Sequence, residues 1–130
     1  MELQISDARR MAEGAQAAAR AAGHAVSVAV CDAAGRLLLF ERGDGAAGIT
    51  VELAPAKART SALLGLPSSR MEAALNSGYP ALASMAGCVL LGGGVEVRVD
   101  GRVLGGIAVS GAPSGAEDET LARAGLAMLA

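Results

Sequence analysis

Residues Leu90 to Ala112, LLGGGVEVRVDGRVLGGIAVSGA, decide the fold. From Val95 to Val99 apolar and charged residues alternate strictly (Val95, Glu96, Val97, Arg98, Val99), which is the period of a half-buried strand. Asp100-Gly101 follows, a dipeptide suited to the two positive-φ positions of a type I′ turn, so Arg102 to Val109 is expected to return antiparallel. That register pairs Val97 with Leu104, Arg98 with Val103 and Glu96 with Gly105. Gly92, Gly93 and Gly94 lead into the hairpin, and Gly105-Gly106 lies on the returning strand, where a side chain would ordinarily pack. Two readings of these glycines stay open: a helix lies close on the sheet, or a ligand lies on bare backbone.

Upstream, Ser6 is a candidate N-cap for an alanine-rich helix from Asp7 to Ala22, with Gly23 past its end. Ala25 to Cys31 alternates valine with small residues. The turn Asp32-Ala33-Ala34-Gly35 then leads into a second strand, Arg36 to Glu41. Helical character resumes from Ile49 to Leu64, where Pro55 either sits in the first turn of a helix starting near Leu53 or kinks a longer one. Pro67 ends that element. Ser69-Arg70-Met71-Glu72 has capping-box spacing and opens a short helix closed by Gly78 and Pro80. Ser114-Gly115-Ala116-Glu117 repeats that spacing ahead of a last helix reaching Leu129. The order is helix, two strands, two helices, two or three strands, helix: an α+β class around one antiparallel sheet, with residues 1–130 as a single domain.

Composition narrows the function. Apolar residues make up 52% of the chain but aromatics only 2%, so the core is expected to be Ala, Val, Leu and Met at close spacing. Eleven basic and thirteen acidic residues, with a single Phe and a single Tyr, offer neither a basic stripe nor a stacking platform, which argues against nucleic acid as a partner. Cys31 and Cys88, far apart and without a CxxC, read as reduced thiols. The opening MELQISDARR has no apolar core of a signal peptide, and no run has the length of a membrane span, so the expected place is the cytoplasm, with no membrane partner. High apolar content with little bulk points to burial against other subunits.

Several stretches carry a family resemblance: Asp32-Ala-Ala-Gly35, Phe40-Glu-Arg42-Gly-Asp44-Gly-Ala46, Ala56-Lys57-Ala58-Arg59-Thr60, Gly92-Gly-Gly94, Gly106-Ile-Ala-Val-Ser110-Gly111, and Asp118 followed by Ala124-Gly125-Leu126. In this order, over nearly the whole chain, they resemble the GlcG/HbpS family, whose relatives include the C-terminal domain of PduO-type proteins. The resemblance implies a profilin-like α/β sandwich, assembly as dimers to octamers, and haem or corrinoid binding or haem degradation. Glu96 stands where the family usually has proline after GGGV, and Pro55 enters the helix that carries Lys57.

The chemistry-bearing residues are few. Gly111-Ala-Pro-Ser-Gly115 before a helix start could cradle an anion, but Glu117, Asp118 and Glu119 already fill that first turn with negative charge, and neither GxxxxGK nor a strand-borne GxGxxG is present. His24, the one histidine, cannot build a zinc site alone, so no metal site is expected. It is a candidate axial haem ligand or simply the residue completing a helix C-cap. Tyr79, Met71 and Met85 are other iron-ligand types, each equally readable as loop or core. Lys57 and Arg42, with the bared backbone of Gly92, Gly93 and Gly94, suit a carboxylate or propionate; Arg59 reads as a solvated helix face. Glu96, placed opposite a glycine, is a candidate acid/base beside Lys57, and Asp118 either caps its helix or reaches the same pocket.

The expectation is therefore a homo-oligomer that binds a small anionic organic ligand, with haem the cofactor that the resemblance implies. One rival is an enzyme on a small carboxylated substrate, using Lys57 to hold the acid and Glu96 to move a proton. Another is a purely structural oligomer.

Overall fold

A computed structural model describes residues 1–129. The elements run α1 (Ile5–Ala22), β1 (Ser27–Asp32), β2 (Leu37–Arg42), α2 (Thr50–Leu64), α3 (Ser68–Asn76), β3 (Gly94–Val99), β4 (Arg102–Ser110) and α4 (Gly115–Leu126). Short 3-10 turns cover Pro80–Ser84 and Ala127–Leu129. The four strands form one antiparallel sheet in the order β2-β1-β4-β3. The expected α+β class with one antiparallel sheet is what forms, with two strands, not three, after α3.

Side-chain size sorts the two faces of the sheet. Val28, Val30, Val95, Val97, Ile107 and Val109 point to one face and pack on Met11 of α1 and Leu121 of α4. On the other face Ala29, Cys31 and Ala108 meet Ala54, Ala58 and Ala62 of α2. Alanine against alanine brings α2 very close. A Cβ on Gly106 would collide with the Ala58 carbonyl, and one on Gly94 with the Lys57 carbonyl. These two glycines serve helix packing, and the bare-backbone reading fails there because α2 covers them.

The central hairpin turns at Asp100 (φ 50°) and Gly101 (φ 79°), as its dipeptide predicts. Arg98 pairs with Val103 as expected, but a bulge between Val97 and Arg98 moves Val97 opposite Gly105 and Glu96 opposite Gly106. Leu104 is the inserted residue. It fills the α1 side beside Leu3, while a Cβ on Gly105 would lie 2.8 Å from Leu3 Cδ1. The bulge therefore gives the first core a large and an absent side chain in succession.

Other boundaries differ in instructive ways. The N-cap of α1 is Gln4, not Ser6; the Asp7 carboxylate accepts the Gln4 N–H at 2.9 Å. Pro55 lies inside α2, the longer-helix alternative, and deprives the Val51 carbonyl of its helical donor at an exposed position. Ser69 and Glu72 form no capping box. Pro67 occupies the N-cap, Ser69 Oγ donates to Glu119 Oε1 at 2.6 Å, and Glu72 Oε1 accepts the Gly92 N–H at 2.6 Å, so both residues tie α3 to its neighbours instead. The second expected box is half made: Ser114 Oγ accepts the Glu117 N–H at 3.1 Å. Both cysteines are free, and burial pushes the Cys31 thiol up to about 11.

Candidate functional site

Two clefts hold the candidate residues. The first forms where α1 stops. Gly23 adopts the left-handed conformation (φ 77°), with its N–H on the Arg20 carbonyl at 3.1 Å and the His24 N–H on the Ala19 carbonyl at 2.9 Å. The backbone of His24 thus completes the helix cap, and its half-buried imidazole projects into a cleft of about 330 Å³ shared with Arg20, Arg42 and Asp44. Nε2 lies 3.6 Å from Glu117 Oε2, an ion pair when the ring is protonated. Arg42 donates to the Ala46 carbonyl from Nε at 3.1 Å and Nη2 at 2.8 Å. This fixes the loop after β2 as the cleft wall. That loop is also seated by Gly43, whose N–H reaches the Val26 carbonyl at 2.8 Å and whose missing Cβ makes room for that carbonyl.

The second cleft, also about 330 Å³, is lined by Thr50, Leu53, Lys57, Gly92, Ser110 and Asp118, among others. Lys57 and Asp118 are 3% and 4% exposed and form an ion pair at 3.0 Å. Lys57 Nζ also donates to the Val109 carbonyl at 3.3 Å, and Asp118 Oδ1 accepts the Ala112 N–H at 2.9 Å. Burial raises the Asp118 pKa, while the Ala112 N–H and then the Lys57 ammonium pull it back. Gly93 explains how so long a side chain fits. A Cβ there would sit 2.8 Å from Lys57 Nζ and 3.0 Å from Asp118 Cβ, and its φ of 132° suits glycine.

The structure therefore brings Lys57, Gly92, Gly93 and Asp118 together, and His24 with Arg42 a short way off. Glu96 is not with them. It is half-buried on β3, with Arg98 as its ionic partner at 3.8 Å, so the lysine's proton partner is Asp118. Tyr79 is 65% exposed in the loop after α3, lining neither cleft, and neither Met71 nor Met85 lines them. Arg20 and Glu117 were not singled out in sequence as partners of His24. The signal was the spacing, since Arg20 lies four residues before His24 at a helix end and is carried to the same side. Among the described residues no three His, Cys, Asp or Glu side chains gather to hold a metal ion, and no helix is long and apolar enough to cross a membrane.

Comparison with known proteins agrees with this architecture. Residues 3–127 match the model of the family described as haem degrading protein HbpS-like. Protein GlcG of Escherichia coli (strain K12) is 39% identical over 85 residues, which are 65% of this chain and 63% of GlcG, less than two thirds of that relative's length. A double mutant of HbpS from Streptomyces reticuli superposes with a TM-score of 0.95 at 39% identity, covering 100% of this chain and 88% of that one. A crystal structure of a PduOC:haem complex superposes with a TM-score of 0.90 at 26% identity, covering 98% of this chain and 95% of that one. With the family match running from one end of the sheet sandwich to the other, the chain belongs to the HbpS-like family.

Proposed function

We propose that the chain binds haem, or a related tetrapyrrole bearing carboxylates, at the cleft that holds His24. The observation that carries this reading is the convergence of the single imidazole with two guanidinium groups, Arg20 and Arg42, in one cleft. The donor set fits: a neutral imidazole ligates iron, and guanidinium groups match propionates in geometry and charge. When bound, haem supplies a redox-active iron. Arg20 and Arg42 would hold the propionate edge, with Glu117 beside the ring of His24 at 3.6 Å from Nε2. The cleft is at the small end of the range for small-molecule sites, so a macrocycle seated there keeps much of its area outside this chain. Membership of a family described as haem degrading, and the haem complex of a structural relative, support the same ligand.

Titration with hemin tests it. The wild-type chain is expected to shift the Soret band and His24→Ala to abolish that shift. Arg20→Ala, at an exposed position, is expected to weaken hemin roughly ten- to hundredfold, the loss of one charge-assisted contact of about 1.5–3 kcal/mol. No shift in the wild type rejects haem; an unchanged spectrum in His24→Ala rejects His24.

We also propose a homo-oligomer. Ile49, Leu63 and Leu91 are large apolar side chains between 44% and 56% exposed, and a second chain seated on them would take that surface out of water. Light scattering is expected to give a mass of two or more chains at micromolar concentration; a stable monomer rejects the assembly.

A further inference from the structure

We propose that a third cleft, at the far end of the sheet from His24, is a binding site for a small aliphatic carboxylate read by Arg59. This cleft of about 380 Å³ lies between α2 and the turn joining β1 to β2, lined by Cys31, Gly35, Leu37, Val51, Arg59 and Gly87 among others. Arg59 is the one arginine that is not exposed; every other lies in the most accessible class. Yet among the described residues its half-buried guanidinium has no ion pair and no hydrogen bond, whereas the more deeply buried Lys57 has an aspartate and a carbonyl. A cation taken partly out of water without a partner is costly, and an anion in the cleft would remove that cost.

The surroundings are shaped around the guanidinium. Two glycines with positive φ stand against it. A Cβ on Gly35 would lie 3.2 Å from Arg59 Nη1, and a Cβ on Gly87 would lie 3.2 Å from Nε. Substitution at either turn would therefore crowd the group that recognises the ligand. The rest of the wall is apolar, with Leu37 and Val51 at the rim, and the Cys31 thiol stays protonated at neutral pH because burial holds its pKa near 11. From β1, Asp32 stays outside the lining with its Oδ1 accepting the Ala34 and Arg36 N–H groups, both at 2.9 Å, although its charge is felt at Cys31. Glu52, exposed on α2, is the one carboxylate in the lining and tunes the affinity downward. A planar fork with apolar walls selects a carboxylate on a short hydrocarbon body over a bare inorganic anion.

Sodium butyrate is the probe, with butyramide as its uncharged counterpart and inorganic phosphate as the bare anion, followed by amide NMR of the full chain. Butyrate is expected to move the Gly35 and Gly87 resonances saturably, butyramide to leave them in place, and phosphate to bind at least tenfold more weakly. Arg59→Met is expected to abolish the response, Arg59→Lys to weaken it at least tenfold, and Glu52→Gln to strengthen it. If Arg59→Met does not fold, Arg59→Lys decides. Equal shifts with butyramide, equal binding of phosphate, or a response that survives loss of the guanidinium overturns the proposal. His24→Ala binds butyrate as the wild type does, which separates this site from the haem cleft.

Discussion

Lys57→Met is expected to lower the stability of the fold by about 3–5 kcal/mol, the range found when one partner of a buried ion pair is removed. The lost attraction is the smaller part of that figure. The larger part is Asp118 left 4% exposed with only the Ala112 N–H to satisfy it. Replacing both charges, Lys57→Met with Asp118→Leu, is expected to recover most of the loss, since no unpaired charge remains. The effect carries a pH signature. Asp118 already titrates above the ordinary carboxylate value, and removing the ammonium raises it further. The folded state then holds a proton that the unfolded chain releases, so stability falls as pH rises through the window between the two pKa values. Urea denaturation of the single variant is therefore expected to show its largest deficit at neutral pH and a smaller one near pH 4. A deficit below about 1 kcal/mol at pH 7 would mean that water reaches the carboxylate through the cleft and the pair is not dry.

Gly106→Val is expected to cost about 3 kcal/mol or more, at the upper end of overpacking effects, because the obstacle is backbone. The added Cβ would meet the Ala58 carbonyl, with Ala58 C at 3.2 Å and Ala62 N at 3.3 Å behind it. Relief requires all of α2 to lift off the sheet, taking Lys57 away from Asp118. Gly48→Ala is the control. A Cβ there meets nothing within 4 Å and the φ is ordinary, so its midpoint is expected to stay within about 0.5 kcal/mol of the wild type. Equal effects at the two positions would show that α2 is free to shift.

Local patterns carried the fold and tertiary contacts carried the site. Alternation at Val95–Val99 and the Asp100-Gly101 turn made the hairpin legible because both act over a few residues. The bulge at Val97 was not legible, since it sets Gly105 where the Cys31 carbonyl of β1 leaves no room for a Cβ, a contact between strands far apart in the chain. The same holds for Ser69 and Glu72. Their spacing matches a capping box, but Glu119 and the Gly92 N–H compete for them once α3 is docked. In the site, Lys57, Asp118 and the glycine run were readable as one neighbourhood by residue type. Their mutual pairing was not, because a buried cation can be matched by an internal carboxylate or by a ligand, and composition does not distinguish the two. Arg59 was read as a solvated helix face, and it is half-buried because the turns carrying Gly35 and Gly87 stand against it, a contact that its own helix does not announce.

The strand order has a consequence for synthesis. β1 is central and lies between β2, its neighbour in the chain, and β4, with Ser27 paired to Ser110. A chain leaving the ribosome can close the hairpin of β1 and β2 early, but two strands alone are marginal in water. The second edge of β1 stays unpaired until Arg102–Ser110 emerges, and that pairing must close a loop of roughly 80 residues. Folding of this protein is thus a late event, set by its last strand and α4. Until then the segment from Val26 to Phe40 is the stretch a nascent-chain chaperone would meet.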